Sequence, residues 1–284
     1  MHEITLGYAE SKNLPDAIIV DLDGTLLNSQ HHLSMRNWQA IERCRTLGIP
    51  VVVATSRPER SVRRFLGTEL TGGVSRVGLN GAIAIGVAPL TGRYTQVLDA
   101  PLVLAIVDMI CTLHPAAIFT IELDGMHFAT NAQMDERGLW HHFSATPDLV
   151  CPLQQAVHQA VLKVAVDGQG ESLSDTAARL QETFGSQIVV VPALTGRFLN
   201  ITAVNASKEG AIEQLLLSQQ RALSKAWAFG DDVPDLGMLQ KAGIAVAMAN
   251  AEPAVKAIAT YVTAHHDEDG VAQCLEQWLP TWRA

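Results

Sequence analysis

Hydrophobic positions along the chain keep two different rhythms. In the first, short continuous apolar runs that end in polar residues alternate with segments whose apolar residues recur every three or four positions. Ala17-Ile18-Ile19-Val20 is such a run and reads as a buried strand. Ser34 is placed to cap a helix carrying Met35, Trp38, Ile41 and Leu47, which Gly48 ends. Pro50 to Ala54 gives a second strand, Pro58 begins a second helix, and Val74 to Leu79 gives a third strand. Strand, helix, strand, helix, strand predicts parallel pairing with right-handed crossovers, hence an α/β doubly wound sheet of Rossmann-like form.

From about Ala82 the rhythm changes. Ile83 to Val87 and Tyr94 to Leu98 flank Thr91-Gly92 and read as a hairpin. Helices at Leu102 to Leu113, Met134 to Phe143 and Leu173 to Phe184 are interleaved with strands at Ala117 to Glu122, His127 to Thr130, Val161 to Val166, Ile188 to Val191 and Phe198 to Thr202. Hairpins mixed with helices predict an α+β module inserted in the first domain. The first rhythm resumes at Lys208, with a helix bearing Ile212, Leu215 and Leu216, a strand at Ala226 to Phe229, and a helix from near Pro234 to Ala242. A strand at Ile244 to Met248, a helix at Pro253 to Ala259, a short strand at Thr260 to Thr263 and a helix at Val271 to Trp278 complete it. The expected division is a core of residues 1–84 and 199–284 with an inserted cap of residues 85–198.

With 284 residues, 48% of them hydrophobic and 17% charged, the chain has material for two packed domains and is not a disordered one. A net charge of -9 argues against nucleic acid or an anionic membrane as partner, yet admits an anionic small molecule once a metal ion or placed cations reverse the local field. Cys44, Cys111, Cys151 and Cys274 have no metal-site spacing and are expected as reduced core residues of a cytoplasmic protein. Met1-His2-Glu3-Ile4-Thr5 lacks the basic and apolar blocks of an export signal, so none is expected, and the apolar stretch Leu102 to Cys111 is too short to span a bilayer.

The chemistry gathers at strand ends. Asp21-Leu22-Asp23-Gly24-Thr25-Leu26 follows the first strand, so Asp21 is expected at the carboxyl edge of the sheet, where ligands bind in open parallel folds. Adjacent side chains on a strand point to opposite faces, so Asp21 and Asp23 converge only if the chain turns, as Gly24 permits. That pattern suits a divalent cation held by one carboxylate, with the second carboxyl left for proton transfer. Thr55-Ser56-Arg57 ends the second strand and offers a hydroxyl before a helix. Lys208 falls at a helix amino end, where a cation is unfavourable without a negative partner. Gly230-Asp231-Asp232-Val233-Pro234-Asp235 crowds acids at another strand end, where one would suffice as a helix cap.

Together these pieces resemble the haloacid dehalogenase-like hydrolases, and within them the Cof-type phosphatases with an α/β cap. Asn80-Gly81-Ala82 and Asp267-Glu268-Asp269-Gly270-Val271-Ala272 resemble the same subgroup. The resemblance implies an Mg²⁺-dependent hydrolase of small phosphate esters. Asp21 would attack phosphorus and form an aspartyl phosphate, while Asp23 would protonate the leaving group and then activate water. Acids expected around Asp23 give it a reason to hold that proton. Thr55 and Lys208 would hold the phosphoryl oxygens, helped by Leu22, Ser56, Arg57 and Asn80. Asp21, the main-chain oxygen of Asp23, and Asp231 would bind Mg²⁺, with Asp235 in support.

The chain departs from the subgroup at Pro234, where Asn is usual, at Ser56, where Gly is usual, and at Asn200 and Glu209 before and after Lys208. Pro234 keeps open a weakened, phosphometabolite-binding or regulatory relative, and transfer of the phosphoryl group to another sugar hydroxyl, as in a phosphosugar mutase, is a second alternative. The cap is expected to close over the pocket, with Asp124, His127, Trp140, His141 and His142 as candidate substrate contacts. The plainer reading puts Trp140 in the core, the cap histidines on the surface and His31-His32 in a solvated loop. Oligomeric state is not written in the sequence.

Overall fold

Ile18–Asp21 lies at the middle of an eight-stranded sheet, and its four residues are all buried. This computed structural model describes residues 14–279; the amino-terminal segment read above for an export signal lies outside the described residues. In chain order the first elements are β1 (Ile18–Asp21), α1 (Met35–Thr46), β2 (Val51–Ala54), α2 (Glu59–Gly73), β3 (Ser75–Gly78), β4 (Ile83–Ile85) and β5 (Arg93–Thr95). Then come α3 (Ala100–Leu113), β6 (Ile118–Glu122), β7 (Phe128–Thr130), α4 (Glu136–Phe143), α5 (Leu153–Ala156), β8 (Lys163–Asp167), α6 (Ser174–Phe184), β9 (Ile188–Ala193) and β10 (Phe198–Ala203). The last are α7 (Lys208–Leu217), β11 (Trp227–Gly230), α8 (Leu236–Lys241), β12 (Ile244–Ala247), α9 (Pro253–Ile258), β13 (Tyr261–Val262) and α10 (Gly270–Trp278).

The large sheet has the order β13-β12-β11-β1-β2-β3-β4-β5, parallel from β13 to β3 and antiparallel beyond. Its core joins β1, β2, β11 and β12 to the apolar faces of α1, α7 and α10. Ser34 does cap α1, its hydroxyl accepting from the Asn37 amide at 3.0 Å. A five-stranded antiparallel sheet, β7-β6-β8-β10-β9, forms the cap around a separate apolar core that includes Val103, Ile106, Val164 and Leu180.

Both crossings between the sheets fall later in the chain than the expected 84/85 and 198/199. β4 and β5 form the expected hairpin, but they extend the edge of the large sheet, and β10 belongs to the cap sheet throughout. A turn signal says that two strands pair, not which sheet they join. Leu79, Ala82, Ile83, Leu162 and Ala206 meet in a small apolar cluster at the junction. The short helix Leu153–Ala156 was not expected from periodicity, being barely one turn long. Of the cysteines, Cys44 and Cys274 are core residues, whereas Cys111 is exposed and Cys151 half-buried. No helix among the described residues is long and apolar enough to cross a membrane.

Candidate active site

Because β1 lies between β11 and β2, the loops that follow these three strands leave the same edge side by side. Asp21 ends β1, Thr55 follows β2 and Asp231 follows β11. The first loop turns at Gly24, whose φ is +74° and where a Cβ would stand 2.2 Å from Asp231 Oδ2. Glycine is required there both for the left-handed backbone and for the approach of Asp231. Thr25 Oγ1 then donates to Asp231 Oδ1 at 2.8 Å.

Lys208 is the first residue of α7, and its ammonium stands 2.6 Å from Asp21 Oδ1 and 2.7 Å from Asp235 Oδ1. These are the negative partners that a lysine at a helix amino end requires. All three side chains are buried. The other oxygen of Asp235 accepts from the amides of Asp231 and Asp232, at 3.0 and 3.2 Å. Pro234 sits in the first turn of the 3₁₀ segment Val233–Asp235, where a missing amide hydrogen goes unneeded, and Asp235 keeps its partners. Asn80-Gly81 leans on the same helix start: a Cβ on Gly81 would lie 2.1 Å from the Ser207 carbonyl oxygen.

Burial, then the nearby Asp235 and Asp231, push the Asp21 carboxyl well above its usual range despite the lysine. Asp231 is pushed up to about 7, chiefly by burial, with Asp235 and Asp232 adding to it and the Thr25 hydroxyl opposing. Burial alone would lower Lys208, but Asp21 and Asp235 hold it above the ordinary lysine value. One ammonium thus faces three acids, and negative charge is in excess. Asp21, Asp231 and Asp235 offer oxygens that all lie within 4.8 Å of one another. Hard oxygen donors with surplus negative charge fit a small divalent cation of the Mg²⁺ kind.

Asp23 stands apart from this group. Its carboxylate accepts from Arg57 Nε and Nη2 at 2.6 and 2.7 Å, and His31 Nδ1 lies 3.4 Å away. The acids expected around Asp23 therefore surround Asp21 instead, because the turn at Gly24 carries the Asp23 side chain toward the second strand end. Arg57, expected on phosphate, is engaged with Asp23. Thr55 is buried, its hydroxyl accepting from the Arg57 amide at 3.1 Å. Leu22 is a core side chain whose carbonyl accepts from the Leu26 and Leu27 amides. Asn80 Oδ1 is buried without a hydrogen-bond partner among the described residues.

Two features went unread in the sequence. Lys163, the first residue of β8, reaches from the cap to donate to the Ser56 carbonyl at 3.0 Å. Burial, with Arg60 adding and Glu122 opposing, lowers it to about 8. Arg60 on α2 makes a bidentate pair with Glu122 on β6, at 2.6 and 2.7 Å, and stacks over Phe128 at 4.1 Å. A lone lysine opening a buried strand was the one available sign. Asp267 Oδ1 accepts from the Ser29 amide at 2.7 Å, and His266 Nδ1 meets the Leu27 carbonyl at 2.8 Å, so the late acidic stretch braces the loop after β1.

In the cap, Asp124 and His127 satisfy each other at 2.8 Å. Trp140 is not in the core: it is 45% exposed and lies against Arg64. His141 and His142 line a cavity that His31 and His32 share, so the latter pair is exposed but not idle.

A doubly wound sheet whose central strand ends in a buried, lysine-paired carboxylate, with a second α+β domain inserted in it, defines a capped α/β protein with a charged site at the sheet edge. A model of the haloacid dehalogenase-like hydrolases matches residues 18–275, and the chain belongs to that family. It is 28% identical over 269 residues to a putative phosphatase of Haemophilus influenzae, covering 93% of this chain and 98% of that one. It is 28% identical over 270 residues to a 5-amino-6-(5-phospho-D-ribitylamino)uracil phosphatase of Bacillus subtilis, again covering 93% and 98%. The crystal structure of a haloacid dehalogenase-like hydrolase from Bacteroides thetaiotaomicron superposes with a TM-score of 0.78 at 25% identity, covering 93% of this chain and 99% of that one. The family makes the chain a hydrolase, and both of these relatives are described as phosphatases.

Proposed function

We propose that the chain is an Mg²⁺-dependent phosphatase of small-molecule phosphate monoesters that works through an aspartyl phosphate on Asp21. The observation that carries this reading is the Lys208 ammonium bridging Asp21 and Asp235 beside Asp231. Mg²⁺ held by Asp21, Asp231 and the Asp23 carbonyl, with Asp235 behind, would neutralise charge on the phosphoryl group. Lys208 holds one Asp21 oxygen and leaves the other to attack. As the new O–P bond forms, the ester P–O bond breaks, and the departing oxygen takes a proton from Asp23.

Asp23 cannot carry that proton while Arg57 occupies both its oxygens. Substrate entry exchanges the pair: Asp23 takes up a proton from solvent, and Arg57 is freed to meet a phosphoryl oxygen. Asp23 then takes a proton from water as that water attacks phosphorus, the Asp21–phosphorus bond breaks, and inorganic phosphate leaves. The cap, held down by Arg60–Glu122 and Lys163, excludes water and sets which leaving group enters. The Bacillus subtilis relative's substrate, a phosphorylated sugar alcohol on a pyrimidine, falls in this class.

Purified chain with Mg²⁺ is expected to release phosphate from a panel of monoesters. Asp21→Asn should lower turnover by roughly 10⁴-fold or more with the fold intact by circular dichroism. Near-normal turnover in that variant would remove the covalent route.

A further inference from the structure

A cavity of about 740 Å³ opens beside Asp23, between the loop after β1, α2 and the cap helix α4. His31, His32, Arg57, Arg64, His141 and His142 line it, and no carboxylate is among its lining residues in the described part of the chain. Of the two guanidiniums, Arg57 is balanced by Asp23 at 2.6 Å. Arg64 is not. Its Nη1 donates to the Trp140 carbonyl at 2.5 Å and reaches Ser144 Oγ at 3.4 Å, both neutral acceptors. The rings of Trp140 and Phe65 lie 4.7 and 5.6 Å from its guanidinium carbon. Aromatic faces hold an arginine in place without neutralising it.

A half-buried guanidinium with donors to spare is a poor neighbour for a cation and gains little from a neutral group, but it matches a carboxylate or phosphate. Four imidazoles around the same space add donors. The volume lies within the range of small-molecule sites, enough for a sugar-sized group beyond the reacting phosphate.

We infer that this cavity is an anion subsite, and that the preferred substrates are phosphate esters whose leaving group carries a second anion, a carboxylate or a further phosphate. The inference rests on the phosphatase reading above and adds to it the charge of the leaving group. Arg64 is its specificity-determining residue, and it links the cap to the choice, since its anchor is a cap carbonyl.

The test compares kcat/KM within matched pairs: fructose 1,6-bisphosphate against fructose 6-phosphate, and 3-phosphoglycerate against glycerol 3-phosphate, with p-nitrophenyl phosphate alongside. The first pair reads a second phosphate and the second pair a carboxylate. The doubly anionic member should be favoured by roughly tenfold or more in at least one pair. Arg64→Met should collapse that ratio toward one, and Arg64→Lys should restore part of it. Hydrolysis that favours neither doubly anionic member in wild type, or a preference that Arg64→Met leaves unchanged, would overturn the subsite. Failure to hydrolyse any ester, p-nitrophenyl phosphate included, would overturn the phosphatase reading and the subsite with it.

Discussion

A methyl group at Gly24 would meet a carboxylate. Its Cβ would stand 2.2 Å from Asp231 Oδ2, and the backbone φ of +74° is itself costly for any side chain. Gly24→Ala should therefore displace Asp231 and weaken Mg²⁺ binding by tenfold or more, on the order of the 1–2 kcal/mol of strain it introduces. Calorimetric titration with Mg²⁺ measures this, and an unchanged affinity would count against Asp231 as a ligand. At this scale the motif spacing made the placing of Asp21, Asp231 and Lys208 legible, because each stands at or next to the end of an element whose pattern is plain. The partner of Asp23 was not legible. Arg57 reaches it only because the first two strands are neighbours, a fact of sheet order that no local spacing encodes.

Single elements carry the joint between cap and core. The amino end of α2 buries Glu59 and Arg60, and Arg60 spends its guanidinium on Glu122 and on the carbonyls of Phe143 and Met126. Removing one partner leaves a buried charge alone, so Glu122→Ala should destabilise the chain by about 3–5 kcal/mol in urea unfolding. A loss below about 1 kcal/mol would place the pair in water and the cap open.

Lys163 gives the joint a pH dependence. Its folded value of about 8 is below the lysine reference of 10.5, so between those values the unfolded chain binds more protons. Stability from this group therefore rises with pH across that window and carries its full burial penalty below it. Wild type should gain stability relative to Lys163→Met between about pH 8 and 10, read from paired unfolding curves. No difference in slope between the two would place the ammonium in solvent. The strands themselves were readable from apolar runs, but β5 joined the large sheet and not the cap it was assigned to, because pairing partners lie outside any window of sequence.

Across the whole molecule, four segments far apart in the chain become neighbours through strand order alone. β11 joins the sheet beside β1 after the entire cap has been inserted, which brings Asp231 to Thr25 across 206 positions and Lys208 to Asp21 across 187. Fold class and the inserted cap were visible as a change of rhythm and its return. The cavity at Arg64 was not, since it is made by surfaces of two domains that meet only when both are folded.

Phosphorylation of Asp21 is the step on which the proposed reaction turns. Mass spectrometry of enzyme quenched in acid during turnover should find a phosphoryl group on the peptide containing Asp21, and none in Asp21→Asn. Steady phosphate release with that peptide unmodified at every quench time would contradict it.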